Sequence, residues 1–298
     1  MRNELEYVPA WTVAHMLGAL PRPLARAAGI LLARSIYLVH GRLRHVGMRN
    51  LEIAFPQSSS AERRRILRSL FSGFGRQLAE ISLFPRYTRE NVSRIATYEG
   101  FENFERAHLR GKGVIFLTAH LGGWEIGSFV HSLNGYPLKI LIRPLDNPKL
   151  DRLVAQYRGM HGNKSIPKND LRGVLHALKA GETVGILMDQ NMSPPQGIFV
   201  DFFGHLACTA SVVAKVAART GSAVVPAFTI WDPVLRKYKI HFDPAIELVR
   251  SDDEDRDTLE NTASFTKVIE RYARKYPEQW LWVHRRWKTR PPGEPPLY

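Results

Sequence analysis

The sequence predicts an α/β protein: a largely parallel central sheet flanked by helices, with a helical N-terminal region. Three observations predict it. Up to residue 85, apolar residues recur at helical spacing, as in Ile66, Leu67, Leu70, Phe71, Phe74, Leu78 and Ile81. From residue 112, short apolar runs alternate with amphipathic stretches, the pattern of crossover units and a parallel sheet. No internal repeat or low-complexity linker interrupts this order. With 298 residues, the chain can bury a sizeable core as one large domain or two modest ones.

Residues 1–40 are expected to be an apolar, membrane-associating helical segment. Trp11 to Leu20 and Ala27 to Val39 are apolar, but Pro21, Arg22, Pro23 and Arg26 separate them, and Arg34 interrupts the second. Neither supplies the roughly 18 uncharged residues of a spanning helix. An interfacial anchor with arginines at headgroup level fits; a core helical hairpin is the alternative. Glu4 and Glu6 stand where a secretory signal would be basic.

Residues 41–290 are expected to form the α/β domain. Within it, 41–85 is helical, with a long helix starting after the Ser58-Ser59-Ser60 cap region. Its Arg63, Arg64, Arg65 and Arg68 read as a solvated face, with headgroup contact as the alternative. The sheet core spans 112–290. Strands are expected at 113–119, 138–143, 183–188, 223–230 and 236–242, and helices at 123–134, 148–160, 170–180, 208–220 and 256–276. Pro194 to Leu206 reads as a long Phe-rich loop, and 291–298 as a Pro-rich tail.

The 42 Lys+Arg against 28 Asp+Glu give a net charge of +14. An anionic partner follows: membrane lipid, nucleic acid or an acidic carrier protein. Arg285, Arg286, Lys288 and Arg290 form a basic run interleaved with Trp280, Trp282 and Trp287. Tryptophan with arginine suits a lipid headgroup boundary, with core packing as the alternative. No nucleic-acid motif accompanies the run, so no nucleic acid is expected. The single cysteine, Cys208, excludes an intrachain disulfide and reads as a small apolar residue opening a helix.

The densest chemical signal is His120-Leu121-Gly122-Gly123-Trp124-Glu125, directly after the apolar run 114–117. A histidine takes a proton from a hydroxyl near neutral pH, and a carboxylate holds its ring in one tautomer. Five residues on one continuous helix turn through roughly 500°, which would point the two side chains apart. They cooperate if His120 ends a strand and Glu125 opens the next helix, and Gly122-Gly123 permits that turn. In open α/β sheets, ligands gather at the carboxyl ends of strands. Arg143 ends the second expected strand, suited to a phosphate or a surface ion pair. Asp189, Gln190 and Asn191 follow the third, and Asp189 reads equally as a turn former. His131 reads as packing or surface. No metal-ligand spacing is present, so no metal is expected.

These residues resemble a known family. His120 with Glu125 matches the H-x4-D/E motif of glycerolipid and lysophospholipid acyltransferases. Further segments resemble one branch, the bacterial lipid A late (lauroyl/myristoyl) acyltransferases and the related phosphatidylinositol mannoside acyltransferases. They are Arg49 to Pro56 (RNLEIAFP), Ile142 to Asp151 (IRPLDNPKLD), Met188 to Asn191 (MDQN), Phe202-Phe203-Gly204 and Trp282 to Pro291 (WVHRRWKTRP). The resemblance runs from about residue 40 to 292. It implies acyl transfer from acyl-acyl carrier protein or acyl-CoA, as co-substrate rather than cofactor, to a hydroxyl of a lipid A precursor or other glycolipid. It implies His120 as general base, Glu125 as its orienting partner, and free N–H groups after Gly123 for an oxyanion or phosphate. Gly122, Gly123, Arg143, Asp189, Gln190, Arg285 and Arg286 are the expected substrate contacts. The expected location is the cytoplasmic face of the inner membrane, peripheral or held by one N-terminal anchor. A catalytically silent lipid-binding protein on the same fold is the alternative from another class, and a nucleic-acid binder the third.

Overall fold

The computed structural model describes residues 2–298 and is built around a seven-stranded sheet. Four helices come first: α1 (Arg2–Ala19), α2 (Arg22–Val39), α3 (Gly41–Ala54) and α4 (Ser60–Ser82). Then follow β1 (Ala96–Glu99), α5 (Phe101–His108), β2 (Val114–Thr118), α6 (Trp124–Leu133), β3 (Leu138–Ile142), α7 (Pro148–Arg158), β4 (Lys164–Pro167), α8 (Leu171–Lys179) and β5 (Thr183–Leu187). The chain continues through β6 (Gly197–Phe202), β7 (His205–Ala210), α9 (Val212–Thr220), β8 (Ala223–Asp232), β9 (Lys237–Phe242) and α10 (Glu254–Lys275).

The sheet order is β1-β9-β8-β2-β5-β3-β4. Strands β8, β2, β5, β3 and β4 run parallel. β9 pairs antiparallel with β8 and parallel with β1, so the two strands at that edge run the other way. Both faces are covered, as parallel sheets require. On one face Ile115, Leu117, Val184 and Val224 pack with residues of α3, α4, α8, α9 and α10. On the other, Val114, Phe116, Ile140 and Val225 pack with Phe104 of α5 and with Ile126, Phe129 and Val130 of α6.

The α/β class and the five expected strands hold, and the differences have local causes. The expected loop Pro194 to Leu206 contains the hairpin β6–β7, whose turn carries Phe203 at φ 58 and Gly204 at φ 79. Phe199, Phe202 and Phe203 are therefore strand and turn residues. Cys208 lies on β7, opposite Phe199, and the helix expected from 208 begins at Val212. The short strands β1 and β4 and helix α5 carry too few periodic residues to register in the sequence. The Pro-rich tail is fastened down: Tyr298 donates its hydroxyl proton to Asn50 Oδ1, and Arg49 Nε donates to the Leu297 carbonyl at 2.8 Å.

Two features join the N-terminal helices to the core. Ser59 and Glu62 close a reciprocal capping box that starts α4, with Glu62 N donating to Ser59 Oγ at 3.2 Å and Ser59 N to Glu62 Oε2 at 2.7 Å. α2 then lies against α4 so closely that a Cβ on Gly75 would stand 2.2 Å from the Gly29 carbonyl oxygen. Near this contact the buried Glu80 carboxylate accepts from Arg22 Nε at 3.0 Å, Arg26 Nε at 2.5 Å and Tyr87 Oη at 2.5 Å. Arg26 also reaches the Arg236 carbonyl in the β8–β9 turn. No helix among the described residues is long and apolar enough to cross a membrane. α1 and α2 nevertheless expose Leu5, Val8, Trp11, Met16, Leu24, Leu31, Ile36, Leu38 and Val39.

His131, on α6, is buried in an aromatic cage of Phe104, Phe116, Tyr136 and Phe242. Burial, with a smaller contribution from His108, pushes its pKa down to about 3, so the ring is neutral at physiological pH.

Two stability predictions follow. Glu80→Ala removes the shared acceptor and leaves two arginines without it, so denaturant unfolding should show a loss of about 3–5 kcal/mol. His131 titrates lower in the folded protein than in the unfolded chain, where a histidine titrates at about 6.5. The unfolded state therefore binds the extra proton first as pH falls. Stability from this site is complete above about pH 6.5 and is lost progressively toward the folded pKa of about 3. Unfolding curves of His131→Phe should fall less steeply with acidification across that window than wild type; equal slopes would contradict the assignment.

Candidate functional site

The site forms where β2, β3 and β5 end on the same edge of the sheet. β2 ends at Thr118 and β5 at Leu187, and these two residues are register partners. The segments that leave them run side by side, which brings His120 against Asp189. His120 Nδ1 lies 2.8 Å from Asp189 Oδ1, and the His120 backbone N–H donates to Asp189 Oδ2 at 3.0 Å. Trp280 Nε1 donates to the same Oδ2 at 2.9 Å.

Asp189 is buried, with its side chain 1% exposed, against 22% for His120. Burial alone would raise its pKa. The His120 ring and the N–H donors of His120 and Trp280 outweigh that and hold the carboxyl below the usual carboxylate range. An ionised Asp189 accepts at Nδ1, so the neutral His120 ring carries its proton there. Its Nε2 is left as an acceptor, with the Gln190 side-chain nitrogen 3.4 Å away.

The loop carrying His120 is clamped from both sides. Leu281 N donates to the His120 carbonyl at 3.0 Å, Gly122 N to the Gln279 carbonyl at 3.0 Å, and Gly123 N to the Thr229 carbonyl at 2.7 Å. Gly122 has φ 62, and a Cβ there would stand 2.0 Å from the Thr229 carbonyl oxygen. Glycine is thus required for the close approach to β8. The N–H groups of Gly122 and Gly123 are consumed by these bonds, which differs from the expectation that the two glycines contact substrate.

Glu125 sits in the first turn of α6, as expected, but its partner is not His120. Its carboxylate receives Arg158 Nε at 3.0 Å on Oε1 and 2.9 Å on Oε2, and Arg158 Nη2 also bonds Oε1. The carboxylate on the His120 ring is Asp189. Glu125 lies on a helix that leaves the site, whereas Asp189 comes from the adjacent strand end. Arg158 carried no signal in the sequence, since a basic residue in the last turn of a helix is ordinary.

His120, Glu125, Arg143, Gln190 and Arg158 line one cavity of about 1120 Å³, with Asp189 behind His120. Arg143 stands at its exposed rim, paired with Asp146 at 2.7 Å. His284, also on the wall, accepts from the Asn191 backbone N–H at 3.0 Å, and burial pushes its pKa down to about 4. The expected headgroup surface at Trp280, Trp282, Trp287 and Arg286 is corrected: all four are buried. Arg286 Nη1 donates to the Cys208 carbonyl at 2.9 Å and Nη2 to Thr209 Oγ1 at 2.5 Å. Burial lowers its pKa to about 10, and the charge of Asp189 opposes that shift. Arg286 therefore braces the wall behind the site, whereas Arg285 lies over the Tyr298 ring, 5.7 Å from its centroid. Among the described residues no group of His, Cys, Asp and Glu forms a metal site.

Comparison with known proteins gives the family. Residues 4–289 match the family described as bacterial lipid A biosynthesis acyltransferase. The chain is 28% identical over 297 residues to the lipid A biosynthesis palmitoleoyltransferase of Escherichia coli (strain K12), covering 99% of this chain and 90% of the relative. It is 30% identical over 287 residues to the lauroyltransferase of the same organism, with 94% and 90% covered, and 27% identical over 316 residues to its myristoyltransferase, with 98% and 95% covered. The chain belongs to the bacterial lipid A biosynthesis acyltransferase family and is an acyltransferase.

Proposed function

We propose that this enzyme moves a fatty acyl group from a thioester carrier, acyl-acyl carrier protein or acyl-CoA, to a hydroxyl of a lipid A precursor or related glycolipid. The observation that carries the reading is the orientation of His120. Its Nδ1 is held by a buried carboxylate, and its Nε2 lies beside Gln190 at a large, partly apolar cavity. The acceptor hydroxyl replaces the Gln190 contact and gives its proton to Nε2 as its oxygen attacks the thioester carbonyl. The tetrahedral intermediate collapses, the carbon–sulfur bond breaks, and the leaving thiolate takes the proton from the imidazolium. Asp189 stays ionised throughout and stabilises that imidazolium.

Glu125 acts through Arg158, fixing a cation at the cavity wall. There the guanidinium faces charge developing on the reacting carbonyl or the anionic headgroup. The first-turn N–H groups of α6, which no side chain caps, add a positive potential at the same end of the cavity. The acyl chain gains roughly 0.8 kcal/mol per buried CH₂ as an upper bound, so an apolar wall suffices to hold it. The cavity exceeds the usual small-ligand range of about 300–1,000 Å³, which fits a chain plus part of a headgroup.

The membrane part of the reading rests on the exposed apolar faces of α1 and α2, next to the exposed Arg34 and Arg42. Such a surface suits a peripheral anchor at the cytoplasmic face of an anionic inner membrane. The net charge of +14 also favours encounter with an acidic carrier protein.

Three measurements test this. His120→Ala should abolish transfer of a labelled acyl group to the glycolipid while circular dichroism stays native; full activity in that folded variant would sink the mechanism. Asp189→Asn should lower kcat by about 10²–10⁴-fold with little change in KM; a wild-type rate would remove Asp189 from the reaction. Leu31→Asp with Leu38→Asp should weaken sedimentation with anionic vesicles and leave the fold intact, and undiminished binding would place the anchor elsewhere.

A further inference from the structure

The cavity does not stop at His120. It continues along the sheet beneath α6, lined there by Phe116 and Thr118 of β2, Leu138, Ile140 and Ile142 of β3, and Phe242 at the end of β9. Ile142 to Leu138 is the whole five-residue strand β3, whose four steps cover about 13 Å at the rise of a strand. The α6 side of the passage is formed by Trp124, Ser128 and His131, which share one helix face at i, i+4 and i+7. The first of these lies beside His120, with ring centroids 5.3 Å apart. The last is buried, touches both Phe116 and Phe242, and is backed by Phe104 and Tyr136.

His131 is an unusual residue to find there. Asn134 Nδ2 donates to the Tyr98 hydroxyl at 3.1 Å, which frees the Tyr98 proton for His131 Nδ1 at 3.3 Å. His131 Nε2 is buried among the rings of the cage. Of the α6 residues that line the cavity, His131 is the farthest along the helix from His120, and its ring packs on Phe116 and Phe242.

We infer that His131 forms the floor of the acyl passage and is the residue that sets which chain length this enzyme accepts. The inference rests on the acyl-transfer reading above and adds to it the determinant of donor specificity. His131 is a specificity residue, remote from the reacting atoms. The side chain at 131 should move the preferred length in either direction: a smaller one admits longer chains, and a larger one shortens the passage.

The test uses the full-length chain with a ladder of saturated acyl thioesters differing by two carbons, competed in one reaction and read by mass spectrometry of the acylated glycolipid. Relative to wild type, His131→Ala should shift the product ratio toward the next longer chain by about tenfold or more, the discrimination expected for a methylene in an apolar pocket. His131→Trp should shift it toward shorter chains. Displacement of a fluorescent fatty acid by the same ladder of free fatty acids gives a second readout that needs no turnover. If His131→Ala does not fold, His131→Trp and His131→Phe carry the test by both readouts. An unchanged length profile in folded variants overturns the inference. Wild-type protein that binds the ladder without transferring any acyl group would overturn the reaction instead. In that case a shifted binding profile in the variants supports the floor, and an unshifted one overturns it.

Discussion

The buried carboxylate of Asp189 is the constraint around which the site is organised. Its two oxygens receive the His120 ring, the His120 backbone and the Trp280 indole. The donors come from the loop after β2 and from the segment after α10, and the carboxylate from the end of β5. A buried carboxylate left with fewer partners would protonate, since desolvation alone is costly. The three donors keep it ionised, and its ionisation fixes the tautomer of His120. Arg286, buried nearby, contributes a compensating positive field and braces the Gln190 and Cys208 carbonyls and the Thr209 hydroxyl.

The same geometry explains why the glycines of the motif are needed. They let the His120 loop pass within hydrogen-bonding distance of β8 and the Gln279–Leu281 segment, so the ring is set by backbone contacts as well as by Asp189. α6 then has two uses. Its first turn presents Glu125, and through it Arg158, to the cavity mouth. Its buried face lines the passage as far as His131. One short helix thus couples the polar chemistry at the sheet edge to an apolar interior.

The fold was legible wherever periodicity was strong. The long stripe of α4, the cap at Ser59 and the five principal strands each follow from residue spacing alone. The β6–β7 hairpin was hidden because Pro194-Pro195 and the Phe-rich run mimic a loop. The site was legible in its histidine and in the convergence of strand ends, but not in its pairing. Glu125 is five residues from His120 in sequence, whereas Asp189 is 69 residues away and becomes its neighbour only through the β2–β5 register. Trp280, Trp282, Trp287 and Arg286 resembled an interfacial run because alternating aromatic and basic residues look alike in a headgroup belt and in a braced core. Only their burial separates the two. Arg158 is a further case, since its role exists only through Glu125.

The central claim is that Asp189, rather than Glu125, is the carboxylate that orients the base. Heteronuclear NMR of the His120 imidazole nitrogens tests it most directly. The account predicts a proton on Nδ1 and a free lone pair on Nε2 in the wild type, a pattern lost or reversed in Asp189→Asn and retained in Glu125→Gln. A ring protonated on Nε2 in the wild type, or one that changes tautomer in Glu125→Gln and not in Asp189→Asn, would contradict it.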